Sequence, residues 1–424
     1  MRIKVDENGN WRSFRHRNFR ILYPASVLSN IGTWAQRIAQ DWLVLQLTHN
    51  SGTYLGLVTA VQFTPVLIFS LHGGAMADRI DKRKLLIATN TAAAIACYIL
   101  GILVVLKEIK LWEVFACAAL LGIATALDAP IRQSFTSEIV GQSDVANAVS
   151  LNSANFNLGR LVGPAISGFL IARFDTGPSF IINATSYLFV IGALLAMRKS
   201  DFFNMKTDST LGTVREGLRY ALARPDLYVV MLLVLFTSTF GLNFVIFNAL
   251  MATHVFNKGA ASYGLLGTFI AVGSLSGALL AGRLEKFRTT KFIIKLGMVF
   301  SLTVIVLAFA PTYLTYSLWL PVCGITALTM LISANSYVQT HSDPAVRGRV
   351  MGIYLLIFMG GAPFGSLLIG YWSEHFGVRE TVAICGAISL IAAGIIWIIY
   401  RDKVQSPADY KVSSVLGIPE QPAQ

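Results

Sequence analysis

Stretches of about 20 apolar residues, separated by short polar segments, recur along this chain from residue 20 to residue 400. At 1.5 Å per residue each stretch is long enough to cross a hydrocarbon core of roughly 30 Å as an α-helix, and a helix satisfies its own backbone hydrogen bonds there. The pattern predicts twelve membrane-spanning helices, over 20–47, 54–77, 85–106, 112–132, 147–172, 179–197, 227–252, 263–282, 292–310, 316–340, 350–373 and 381–400. The longest internal connection falls between the sixth and the seventh. It predicts an N-terminal six-helix bundle over 1–198, a linker over 199–225, a C-terminal six-helix bundle over 226–402 and a tail over 403–424. Within the linker Leu211, Val214, Leu218 and Ala221 repeat at helical spacing while Arg215 and Arg219 face elsewhere, which predicts a short amphipathic helix lying on the membrane surface and ended by Pro225.

The two sets of six resemble each other. GGAMADR (73–79) leaves the second span as GALLAGR (277–283) leaves the eighth, and NAVSL (147–151) opens the fifth as GRVMG (348–352) opens the eleventh, with Pro164 and Pro363 following. Repeats offset by about 200 residues are how many secondary transporters are built.

One span breaks the apolar rule. Projected at 100° per residue, Ser26, Ser29, Asn30, Thr33, Gln36, Arg37, Gln40, Asp41 and Thr48 fall on one side of span one; Leu28, Ile31, Ala35, Ile38, Ala39 and Trp42 fall on the other. An ionisable group at mid-membrane is costly unless it faces protein or water, so this ribbon predicts that helix one borders an aqueous cavity. Arg160 adds a second cation midway along span five. Two positive charges against Asp41 make such a cavity attractive to an anion such as a carboxylate or catecholate. Arg37 and Asp41, one turn apart, could pair as a fixed structural unit. Asp41 is equally the candidate proton carrier, because burial opposes its charge while Arg37 supports it.

Composition excludes an ordinary soluble domain: 54% of residues are hydrophobic and 13% charged, where soluble proteins carry about a quarter. The net charge of +12 raises the question of nucleic acid, and its distribution answers it. Of 34 Lys and Arg residues, Lys107, Lys110, Arg173, Lys258 and Arg379 fall in one set of alternate loops, Arg37 and Arg160 fall inside spans, and the rest lie on the side of the termini. By the positive-inside rule both termini are expected in the cytoplasm, with no basic soluble module left for nucleic acid. Cys97, Cys117, Cys323 and Cys385 occupy four separate spans without metal or disulfide spacing and read as packing residues. The sequence has no metal-ligand cluster, phosphate-binding glycine loop or nucleophile with a nearby base, which argues against an enzyme.

The loop after span two reads Gly74, Ala77, Asp78, Arg79, Asp81, Lys82, Arg83 and Lys84 in a small-then-charged pattern. It resembles the G-x-L-A-D-R-x-G-R-[KR] signature of the major facilitator superfamily, with Met76 at the leucine and Asp81 at the second glycine. The resemblance implies that Asp78 and its basic neighbours latch two halves in one state of an alternating-access cycle. Gly159, Gly163, Pro164 and Gly168 in span five let a neighbouring helix approach closely. They look like the G-x-x-x-G-P-x-x-G-G pattern of facilitator exporters, with Ser167 at one glycine. DAPIRQSFTSEIV (128–140), with span one and RGRVMGIY (347–354), is similar to the bacterial branch that contains the enterobactin exporter and macrolide-efflux-like proteins, over about Phe14 to Tyr400. Asp128 is expected to pair with Lys82 or Arg132 in the gating region.

The expectation is therefore an all-α membrane protein with 12 transmembrane helices in two pseudo-symmetric bundles, sited in the bacterial inner membrane. It is expected to export a siderophore- or drug-like molecule, with a proton gradient in place of any cofactor, as a monomer whose partners are small-molecule cargo and lipid. Uptake, or a lipid-like cargo, is the competing reading on the same fold; a sensor is a third.

Overall fold

The computed structural model describes residue 9 and residues 11–77, 81–203, 214–344 and 346–400. A 3-10 turn (Arg12–Arg15) leads into α1 (Arg17–Leu47), α2 (Gly52–Ala77), α3 (Lys82–Val105), α4 (Leu111–Val140), α5 (Val145–Phe174) and α6 (Gly177–Ala196). Then come α7 (Val214–Ala223), α8 (Pro225–Phe236), α9 (Phe244–Leu250), α10 (Ala260–Arg283), α11 (Thr290–Ala308), α12 (Tyr313–His341), α13 (Arg347–His375) and α14 (Val378–Tyr400).

Among the described residues ten helical stretches are long and apolar enough to cross a membrane. One of them, Pro225–Val255, runs through α8, a π turn (Thr237–Gly241), α9 and a second π turn (Met251–Val255). The two expected spans that fail on apolarity are α1 and α5, at 31 and 30 residues. They are long enough, about 46 and 45 Å, and it is their polar side chains that lower the hydropathy. Twelve spanning helices result, as the pattern predicts. Prolines 24, 65, 130, 164, 321 and 363 all lie inside helices, where neighbouring groups can take up the carbonyls a proline leaves free.

Helix ends are set locally. Asp81 caps α3 by accepting from the Lys84 N–H at 3.2 Å, with φ −56, so it works as an N-cap and not as the left-handed residue a glycine would supply. Thr289 and Thr312 cap α11 and α12 in the same way. Gly377, at φ +95, turns the chain from α13 into α14.

Residues Met1–Asp208 and Ala252–Thr268 form one compact unit. In it α1 packs along α5 and α6, α2 along α4, and α3 along α6 and α4. The close approaches run through small residues: a Cβ on Gly122 would meet the Gln62 backbone, and one on Gly101 would meet Ile181. Within lipid such packing, not escape from water, holds helices together. A cluster around Phe19, Leu86, Ile131, Phe135 and Leu194 forms the apolar core near the start of α1.

The second unit comprises Ser209–Met251 and Phe269–Gln424. Here the α8–α9 span packs against α13, and α11 against α14. Gly361 and Gly365 of α13 lie on Thr239, Gly273 and Gly277 of α10 lie on Pro321 and Ile325 of α12, and Gly386 of α14 lies on Ile305. First with fifth, second with fourth and third with sixth is the pairing in both units, which gives the weak sequence repeat a structural counterpart. α7 joins this unit by the face that carries Gly217, Tyr220 and Ala221, all buried, and Glu216 pairs with Arg349 of α13 at 2.7 Å. Leu218 and Leu222 stay 44% and 57% exposed. Leu211 lies outside the described residues.

Candidate functional site

The ribbon on α1 splits into two edges. On one edge Gln36 and Gln40 are buried, at 3% and 0% exposure. Gln40 donates to Gln62 of α2 at 3.0 Å, and Gln36 accepts from Asn183 of α6 at 2.8 Å and from the Cys97 thiol of α3 at 3.4 Å. This is an amide relay linking four helices of one bundle, each buried group satisfied by the next. On the other edge Thr33 is exposed and Asn30 and Arg37 are half-buried. Thr33 meets the Tyr187 hydroxyl at 3.2 Å, and Asn30 donates to the Asn155 carbonyl at 2.9 Å. The expectation that the whole ribbon faces a cavity therefore divides: Gln36 and Gln40 turn into the bundle because their amides find partners there, while Asn30, Thr33 and Arg37 are the accessible members.

Asp41 is 3% exposed. Its partner is the Tyr263 hydroxyl at the head of α10, which donates to it at 2.9 Å, and Trp42 stacks on the same ring. Among the described residues Arg37 makes no ion pair, with Asp41 or any other carboxylate. Its guanidinium lies over the Phe63 and Trp34 rings, 4.8 and 5.9 Å from their centroids, a placement that stabilises a cation without neutralising it. Arg160 of α5 is also without an ion pair among the described residues.

The glycines of α5 serve two neighbours. A Cβ on Gly159 would lie 3.0 Å from the Asn30 backbone and one on Gly163 would lie 2.6 Å from the Trp34 Cβ, so this face receives α1. Pro164 and Gly168 receive the head of α10: Gly264 and Gly267 pack on Pro164, Ala260 on Gly168, and Thr268 donates to the Leu161 carbonyl at 3.1 Å. The motif thus seats both helices that carry the Asp41–Tyr263 contact.

Where gating residues are expected, Asp128 of α4 takes a two-nitrogen contact from Arg132, at 2.7 and 3.0 Å, and accepts from Thr89 and Asn90 of α3. Of its two expected partners Arg132 is the one found. Lys82 reaches Glu138 in the last turn of α4 instead, because the start of α3 lies beside it. Arg83 donates to the Leu195 carbonyl at 2.9 Å, closing the C-terminal end of α6. Gly74 falls within α2; Asp78 and Arg79 lie outside the described residues.

Several polar centres escaped the sequence reading. Asp144 gathers Arg12, Arg15 and His16, the last at 2.6 Å. Arg224 and Asp226 form a bidentate pair at 2.7 and 2.8 Å, 2% and 0% exposed, with the Tyr220 and Tyr337 hydroxyls on either side. Asn183, an amide within an apolar span, was a visible signal. Tyr263 was not, since nothing local marks it as the partner of a residue on α1.

The family profile described as "Transmembrane secretion effector" matches residues 8–422. The chain is 24% identical to the staphyloferrin A transporter of Staphylococcus aureus, over 90% of this chain and 96% of that one. It is 22% identical to the enterobactin exporter of Shigella flexneri, over 84% and 85%. Among solved structures a bacterial homologue of the human lysosomal transporter Spinster superposes with a TM-score of 0.75 at 15% identity, over 92% of this chain and 97% of that one, a likeness of fold alone.

Proposed function

Since the chain belongs to the transmembrane secretion effector family of the major facilitator superfamily, a multi-pass transporter of the bacterial inner membrane and not an enzyme, we propose that it exports its cargo in exchange for protons that enter down their gradient. The cargo is a small amphipathic or anionic molecule, siderophore- or drug-like, moved by alternating access. The protein works as a monomer with both termini in the cytoplasm, the side on which its Lys and Arg residues concentrate.

The observation that carries the reading is the environment of Asp41: a carboxylate inside a spanning helix, buried, without an ion pair among the described residues, and held by a tyrosine hydroxyl. A permanently charged structural carboxylate at this depth would be expected to carry a cation against it. Here burial opposes the charge and Arg37, one turn away, supports it, so a change in the surroundings of Asp41 during the transport cycle shifts the balance between the protonated and ionised forms. Proton entry and cargo exit are coupled through that balance. The α5 glycine and proline motif, which resembles that of exporters, and the enterobactin exporter among the relatives favour outward transport. Asp78, Arg79, Lys82 and Arg83, with the Asp128–Arg132 pair, form the gate on the cytoplasmic side.

Everted membrane vesicles test this directly. Respiration acidifies their lumen, and labelled siderophores or drugs should accumulate inside and leave when a protonophore is added. Asp41→Asn should still equilibrate cargo but lose accumulation. Accumulation by Asp41→Asn at the wild-type level would remove Asp41 from the coupling, and accumulation in right-side-out vesicles alone would reverse the direction.

A further inference from the structure

Arg37 and Arg160 stand on two helices locked together by close packing, since Gly159 and Gly163 of α5 sit directly on Asn30, Ile31 and Trp34 of α1. Both guanidinia are half-buried, and among the described residues neither is paired with a carboxylate or hydrogen-bonded. Two cations without an ion pair within a spanning bundle are an expensive arrangement, and such residues characteristically mark a substrate path.

The protein has a carboxylate at hand and does not use it. Asp41 follows Arg37 by one turn, yet the Tyr263 hydroxyl holds it at 2.9 Å. Arg37 instead lies on Phe63 and Trp34, which fixes its plane while leaving its N–H groups unspent. A planar fork flanked by aromatic faces, with a second guanidinium on the helix packed against its own, matches a carboxylate attached to an apolar or aromatic body.

We infer that Arg37 and Arg160 together seat a carboxylate of the cargo, its apolar body against Phe63 and Trp34, and that Tyr263 keeps the seat open by holding Asp41 away from Arg37. Tyr263 is here a positioning residue that does not touch the anion. The inference rests on the transporter reading for its purpose, but binding needs no gradient and no direction, so it is tested separately from export.

Purified full-length protein in detergent is titrated calorimetrically with salicylate, with its neutral isostere salicylamide and with inorganic phosphate. Salicylate should bind at least about tenfold more tightly than salicylamide, and Arg37→Gln and Arg160→Gln should each erase that preference. Arg37→Lys and Arg160→Lys, which keep the charge and lose the fork, should retain part of it, separating anion recognition from a folding defect. Tyr263→Phe should weaken salicylate by releasing Asp41 onto Arg37, and Tyr263→Phe combined with Asp41→Asn should restore it, which a merely structural tyrosine would not do. Equal affinity for salicylate and salicylamide, or a preference untouched by both glutamine variants, overturns the seat. A preference for phosphate over salicylate overturns the carboxylate assignment, and a double variant as weak as Tyr263→Phe overturns the role of Tyr263.

Discussion

Gly163 of α5 and Trp34 of α1 are packed so closely that a Cβ on the glycine would stand 2.6 Å from the Trp34 Cβ and 2.8 Å from the Ile31 carbonyl oxygen. Neither neighbour is the free end of a flexible side chain, so any side chain at 163 must push the two helices apart. The same helix α5 carries Arg160, and α1 carries Arg37 and Asp41, so helix separation and site geometry are one variable.

Gly163→Val should therefore lower the thermal unfolding temperature measurably and abolish transport, the overpacking penalty being about 1–3 kcal/mol. Gly192→Ala, at a position where a Cβ meets nothing within 4 Å, should stay within about 0.5 kcal/mol of wild type. A Gly163→Val protein as stable and as active as the Gly192→Ala control would mean that α1 and α5 do not pack as described.

The divided ribbon makes a labelling prediction. In a background without the four native cysteines, which are all buried, Thr33→Cys should react with a membrane-impermeant maleimide, because Thr33 is exposed. Gln36→Cys and Gln40→Cys should react far more slowly, since those positions point into the bundle. Equal rates at all three sites would contradict the amide relay, and no reaction at Thr33→Cys would remove the wet face of α1.

The Arg224–Asp226 pair links the α7–α8 junction to Tyr337 of α12 and is almost wholly buried. Removing one partner strands a charge: Asp226→Ala should cost about 3–5 kcal/mol, while replacing both residues with apolar ones of similar volume should cost much less. Chemical or thermal unfolding of the single and double variants, followed by tryptophan fluorescence, measures the difference. Additive losses in the double variant would show that the two side chains act independently.

The number and order of spanning helices, the extra polarity of the first and fifth, the internal repeat and the branch of the superfamily are all legible in the linear pattern of residues. They depend on length, composition and local spacing, which the bilayer reads one helix at a time. Side-chain partnership is a different matter. From sequence Arg37 and Asp41 stand one turn apart as a natural pair; in the fold Asp41 belongs to Tyr263, more than two hundred residues away, and Arg37 to two aromatic faces. Lys82 likewise passes over Asp128 for Glu138. Helical periodicity places a polar group on a face, but which neighbour that face meets is set by small-residue contacts such as those of Gly163 and Gly264, and these bring helices together only when the whole bundle has packed.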